Sequence, residues 1–261
     1  MKRVCVLVMC LLSASVALAQ EKAEVSAVSL RIGKTIPEDP EGDLTFGQPG
    51  TSLTLFVRRA DKVFIGMDKK KTKLASFTDD KGTDLLKKTK KWGMSGISSF
   101  PKFSKDGHVC VVDVQGPTPP AKGAKTIRLK ATLAMKCAEG EKTAVQKDLA
   151  LKKGSKLTAG PVPWTIEKVG KPNWGDAKMS VVVTGKVSHD KIKQLVFLDA
   201  DGKEVEHSVG SRSRSGFMGR MTYGVTYNFK KNVDVVTVKV IYFEKTETIT
   251  IPVDLEIGVG L

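Results

Sequence analysis

The sequence predicts an all-β protein organised as two tandem antiparallel sandwiches, and three observations predict it. Valine, threonine, lysine and glycine are abundant, while long runs of helix formers at a 3.6-residue spacing are missing. Alternating segments of strand length recur between turns rich in Gly, Asp and Pro, about seven in each half of the chain. One pattern also occurs twice, 120 residues apart: Phe77-Thr78-Asp79-Asp80-Lys81-Gly82-Thr83-Asp84-Leu85 and Phe197-Leu198-Asp199-Ala200-Asp201-Gly202-Lys203-Glu204-Val205 share Phe-x-Asp-x-x-Gly-x-acid-aliphatic. A single hairpin used once in each of two related domains explains that repeat.

The first residues set the expected compartment. Lys2 and Arg3 precede an apolar run, Val4 to Leu12, which leads to Ala17-Leu18-Ala19. A basic start, a short apolar stretch and a small-x-small site describe a secretory signal peptide over 1–19, cleaved after Ala19. The run is shorter than the ~20 apolar residues of a spanning helix, and no later stretch is long enough for one. The mature chain is therefore expected to be exported, periplasmic or extracellular.

Taken in order, Glu24 to Ile32 alternates as a first strand, and Pro37 to Gly42 is turn chemistry that cannot continue a ladder. Thr51 to Arg59 is the next strand, with Leu53, Leu55 and Val57 on one face. A lysine-rich stretch follows, then the first copy of the hairpin. Ile97–Phe103 and His108–Val114 flank the turn Asp106-Gly107. Ile127, Leu129, Ala131, Leu133 and Met135 alternate with polar residues, Glu139-Gly140-Glu141 turns the chain, and Val145 to Leu151 returns beside that strand. The pattern pauses at Lys152-Lys153-Gly154-Ser155, which places the boundary between a first domain, 20–155, and a second, 156–261.

The second domain repeats the programme. Met179 to Val187 matches the strand at 51–59, and Leu195 to Leu198 leads into the second hairpin copy. Ser208 to Arg220 reads as a Gly/Ser/Arg-rich exposed loop, and Tyr223 to Phe229 as a strand. Val236-Thr237-Val238-Lys239-Val240 mirrors Ile127-Arg128-Leu129-Lys130-Ala131 at an offset of 109 residues. In the terminal strand, Ile249, Ile251, Val253 and Leu255 alternate with polar residues. Pro252 lacks a ladder donor, which predicts an edge position. This set of strands resembles tandem immunoglobulin-like or fibronectin-III-like domains of exported bacterial proteins, over nearly all of the mature chain. The resemblance is one of architecture: no Trp lies between Cys110 and Cys137, so the antibody-type Cys-Trp-Cys spacing is absent, and no catalytic residue is carried over.

Cys5 and Cys10 would leave with the signal peptide, and the remaining pair, Cys110 and Cys137, reads as a disulfide within the first domain. The alternative is two buried thiols. The formal net charge is +15, and residues 20–155 carry 26 basic and 16 acidic side chains against 15 and 12 in 156–261. Such a balance attracts anionic polymers and surfaces in a salt-dependent way.

Within the first domain, residues 62–91 hold ten lysines and four acids. Lys69, Lys70, Lys71, Lys73, Lys87, Lys88, Lys90 and Lys91, with Trp92, form the candidate anion-binding set, and Arg212, Arg214 and Arg220 a second basic loop. An acidic polysaccharide or envelope surface is the expected partner, with a protein docked on a sheet edge as the alternative; no specific nucleic acid is predicted. Asp79, Asp80, Asp199 and Asp201 are weak metal candidates: the spacing fails the helix-loop-helix calcium pattern, and Asp-Gly is turn chemistry. No cofactor is predicted. His108, His189 and His207 are far apart, no nucleophile elbow, zinc-protease or phosphate-loop motif occurs, and His108, Cys110 and Met135 lack the further histidine of a copper sandwich. The chain is therefore read as a binding or structural module. An enzyme would need polar groups from both domains to converge at their interface.

Overall fold

The computed structural model describes residues 23–33, 49–87, 95–161, 163–172, 175–217 and 220–259. The expected signal peptide, Lys88, Lys90, Lys91, Trp92 and the side chain of Arg220 lie outside the described residues. Among the described residues all strand pairing is antiparallel, the one helical element is a three-residue 3-10 turn at His189–Lys191, and no helix is long and apolar enough to cross a membrane. The all-β sandwich-like class read from the sequence is the class observed.

The described strands form three sheets. The first contains β1 (Glu24–Gly33), β2 (Gly50–Arg58) and β7 (Val109–Gly116) in that order, with β5 (Gly96–Ile97) and β6 (Lys102–Phe103) both on β7. The second runs β13 (His207–Phe217), β14 (Arg220–Phe229), β11 (Met179–Gly185), β10 (Trp164–Gly170) and β9 (Lys156–Leu157). The third runs β12 (Ile192–Leu198), β15 (Val235–Gly258) and β8 (Thr126–Ala150), with β3 (Val63–Met67) and β4 (Lys73–Asp79) end to end on the far side of β8. The first two sheets share an order, since β1-β2-β7 corresponds to β10-β11-β14.

Period-two alternation explains which faces are buried. Leu53, Leu55 and Val57 of β2 and Cys110, Val112 and Val114 of β7 meet Ile127, Leu129, Leu133 and Met135 of β8 in one core. Ile166, Val181, Val183, Val225 and Phe229 meet Leu195, Phe197, Val236, Val238 and Val240 in the other. The repeat is visible in the ladder itself. Phe77 stands opposite Leu129 and Phe197 opposite Val238, which combines the 120- and 109-residue offsets in one pair of contacts.

The sequence reading departs from the structure at the long strands. Glu139-Gly140-Glu141 does not reverse the chain. Gly140 has φ +70°, yet β8 runs on for 25 residues, and its later part, Glu139–Ala150, pairs with Val235–Lys245 of β15. The later part of β15, Thr246–Gly258, in turn pairs with Thr126–Ala138, and Ile251 and Val253 enter the core that the first half of the sequence builds. Composition explains the exchange. Residues 249, 251, 253, 255 and 257 are all large and aliphatic, whereas the segment expected to fold back carries Lys147 and Asp148 on exposed positions. The aliphatic face buries more apolar surface against β8, at roughly 25 cal/mol per Å².

Two further expectations are corrected. The stretch expected as a loop over Ser208–Arg220 is strand over 208–217, in β13, which pairs with β14 from His207↔Phe229 to Phe217↔Arg220. An edge position with a solvated face lets Ser, Gly and Arg serve in a strand, because the partner supplies the ladder. Cys110 and Cys137 are not a disulfide: both are buried free thiols, on β7 and β8. Burial pushes Cys110 up to about 12, aided by the nearby Cys137, and burial pushes Cys137 up to about 11. The thiolate that exchange chemistry needs is suppressed in both.

Candidate functional site

The repeated acidic corners come out as structural turns. Asp79 is 3 % exposed, and its Oδ1 accepts from the Lys81 and Thr83 amides at 3.0 and 2.8 Å while Oδ2 accepts from Ala121 N at 2.7 Å. Burial pushes its pKa up, but these amides outweigh burial and hold the carboxyl below the usual range. Asp199 accepts from Lys203 N at 3.0 Å and, in place of a loop amide, from Lys231 Nζ at 2.9 Å. Asp80 Oδ1 accepts from Lys125 N at 2.9 Å, and Asp201 is exposed. Among the described residues no three His, Cys, Asp or Glu side chains gather as a metal site.

The candidate lysines divide into two stations. Along β8 the chain follows one line from Val63↔Ala138 to Asp79↔Ile127, interrupted where residues 68–72 loop out between Met67↔Met135 and Lys73↔Thr132. The loop is closed by Asp68, whose Oδ1 accepts from Lys70 N at 3.0 Å and whose carbonyl accepts from Thr72 N at 2.9 Å; Thr72 Oγ1 accepts from Ala134 N at 3.0 Å. Lys69, Lys70, Lys71 and Lys73 are exposed on it. At the other end of β4, a strand six residue steps or roughly 20 Å long, the chain reverses, and Lys87 follows the Thr78↔Asp84 bridge and the Leu85 N to Phe77 O bond. There Thr118 Oγ1 donates to the Lys87 carbonyl, and the Asp79 and Asp80 bonds bring Lys81, Lys122 and Lys125 to the same end of the sandwich. Lys122 and Lys125 are outside the 62–91 span singled out from the sequence. They reach this end through contacts across some 40 residues of chain, and the only local sign is an Asp pair with amide-binding capacity to spare.

Three cations of the long ladder are matched across strands, Arg128 with Glu256 at 3.0 Å, Lys130 with Asp254 at 3.2 Å, and Lys142 with Glu244 at 2.6 Å. Among the described residues, no ion pair is made by Lys69, Lys70, Lys71, Lys73, Lys81, Lys87, Lys122 or Lys125.

Arg212 and Arg214 are exposed, as expected, but on a strand instead of a loop. Arg212 is opposite Val225 and Arg214 opposite Tyr223, and the Arg214 guanidinium sits 5.7 Å from the Tyr223 ring centre. Arg212 borders two adjoining cavities of about 270 and 170 Å³ that share His189, Ile192, Lys193 and Arg212 in their walls. The larger is also lined by Phe64 and Ser104–Gly107 from the first half of the chain, and the smaller by Trp164 and Tyr227. His189 is held edge-on between Trp164 and Tyr223, with ring centres 5.6 Å apart on each side. Burial, then the Arg212 charge, lower its basicity. The neighbouring carboxylates are engaged: Asp190 with Lys136 Nζ at 2.6 Å, and Asp106 with the Ser104 hydroxyl (2.5 Å) and His108 N (3.2 Å).

No family model matches the chain, and no curated protein matches it. Among solved structures it is similar to the crystal structure of the conserved domain protein from Bacillus anthracis, at 10 % identity over 80 % of this chain and 82 % of that one. The TM-score of that match is 0.22.

Proposed function

We propose that the chain is an exported, non-enzymatic binding module that engages an anionic polymer or envelope surface through the lysines of its first sandwich. The observation that carries this reading is the grouping of cations: Lys69, Lys70, Lys71 and Lys73 at the 68–72 loop and Lys81, Lys87, Lys122 and Lys125 at the other end of β4 are exposed and make no ion pair among the described residues, whereas Lys130 and Lys142 on the ladder are paired across strands. Two stations at the two ends of a strand roughly 20 Å long suit an extended partner better than a compact one, and lysine, a point charge on a flexible stem, suits loose recognition. The engagement of Asp190 and Asp106 by donors argues against either as a free general base.

Retention on a sulfated or uronate polysaccharide column tests it. Lys69, Lys70, Lys71 and Lys73 changed together to Ser are expected to lower the eluting salt concentration, and adding Lys87, Lys122 and Lys125 to lower it further. An unchanged elution position in the combined variant overturns the reading. Export is tested by the N-terminal sequence of the mature protein, expected to begin at Gln20.

A second reading, docking of a protein strand, is favoured by one observation. Beyond Tyr242, β15 pairs with β8 alone among the described residues, leaving an open edge that includes Pro252. Recovery of a partner crosslinked to residues 248–255 would support it.

A further inference from the structure

We infer that the cleft between His189 and Arg212 is a binding site for a small oxyanion, the carboxylate or sulfate group of a ligand that enters between the two sandwiches. The inference is independent of the lysine surface, since none of Lys69, Lys70, Lys71, Lys73 or Lys87 lines either cavity.

Donors and acceptors on the walls are unequally committed. Both carboxylates already accept hydrogen bonds, Asp190 from Lys136 and Asp106 from Ser104 and the His108 amide. Lys193 is paired with Glu141. Arg212 and Lys105 have no ion pair among the described residues, and both line the larger cavity. The His189 and Trp164 rings form part of the walls, but their Nδ1 and Nε1 atoms are buried away from the open space, Trp164 Nε1 beside Gly185. A cleft whose carboxylates are occupied and whose Arg212 and Lys105 are not is matched to a ligand that brings acceptors and negative charge. A guanidinium on an edge strand also guards that edge against pairing. Edge guarding alone asks for no second unpaired cation, Lys105, brought from the first half of the chain to the same cleft.

The cavity sizes limit the ligand. Volumes of about 270 and 170 Å³ joined at His189 hold one sugar acid or a similar small molecule, with its anionic group at the shared wall and an apolar face against Trp164 and Tyr227.

The test is a titration of the full mature chain with sodium sulfate and, separately, sodium glucuronate at constant ionic strength, followed by the His189 ring and Trp164 indole N–H resonances. Saturable shifts of both resonances are expected with at least one of the two anions. Arg212→Gln is expected to weaken binding at least about tenfold, in line with loss of one charge-assisted hydrogen bond. Arg212→Lys, which keeps the charge and the edge guard, is expected to recover part of it. The Lys69/Lys70/Lys71/Lys73 serine variant is expected to bind the small anions as the parent does. The proposal is overturned if the shifts grow linearly without saturation for both anions. It is equally overturned if Arg212→Gln, with an unchanged circular dichroism spectrum, binds as tightly as the parent, or if the lysine variant abolishes the shifts.

Discussion

Asp79 and Asp199 sit at the same corner of two sandwiches, each Oδ1 accepting the amide four residues on, from Thr83 at 2.8 Å and from Lys203 at 3.0 Å. Each corner is closed further by the backbone, Leu85 N to Phe77 O at 2.9 Å and Val205 N to Phe197 O at 2.8 Å. The two differ in what the second carboxylate oxygen holds, a buried loop amide or an exposed lysine.

Asp79→Asn is therefore expected to be the costlier change. It replaces the Oδ2 acceptor of Ala121 N by a donor, at about 2 kcal/mol in urea unfolding at pH 7. Asp199→Asn keeps an acceptor for Lys203 and should shift the midpoint less. The folded value of Asp79 lies below its unfolded one, so its contribution is complete above about pH 4 and fades as pH falls through the folded value. The gap between parent and Asp79→Asn should narrow in acid; a gap that widens there contradicts the assignment.

Cys110 and Cys137, buried and free, should resist a thiol reagent in the native protein at pH 8 and label fully in denaturant, as followed by peptide mapping. Reductant should leave the melting temperature unchanged. A drop in melting temperature on reduction would instead reveal a bond between them.

Ile251 belongs to the second half of the sequence and to the first core. Ile251→Ala should cost about 3 kcal/mol. Its effect on hydrogen exchange should appear first in β2 and β7, more than 130 residues away in sequence, rather than in β11 and β14. Loosening confined to β11 and β14 would contradict the strand pairing.

The 68–72 loop interrupts what would otherwise be a single long edge from Val63 to Asp79. Removing Lys69, Lys70 and Lys71 makes that edge flatter and less charged, and self-association measured by sedimentation should rise. A variant that stays monomeric at high concentration would show that the loop has no part in guarding the edge.

What the sequence disclosed and what it concealed divide along physical lines. Alternation and Asp-Gly turns are local, so the strands at 51–59 and 127–136 and both Phe-x-Asp corners were legible from neighbouring residues. Strand choice is not local. A glycine at 140 with a positive φ looks the same whether the chain reverses or bends, and only the competition between 144–150 and 249–257 for the same side of β8 decides. The Ser208–Arg220 stretch was read as a loop because its residues have poor strand propensity, which an edge tolerates. That error hid the site as well, since Arg212 faces His189 only because β13 is a strand with two faces. Lys122 and Lys125 were missed because hydrogen bonds to Asp79 and Asp80, not sequence spacing, bring them to Lys87.

The passage of β8 into one sandwich and of β15 into the other has the geometry of a swapped dimer written into one polypeptide. Two separate copies exchanging these arms would depend on dilution, coming apart as the concentration fell. Covalent continuity replaces that dependence with a fixed effective concentration set by the intervening chain. Each arm finds its host in the same molecule at any dilution, and the two halves have a shared interest in staying folded that neither would have alone.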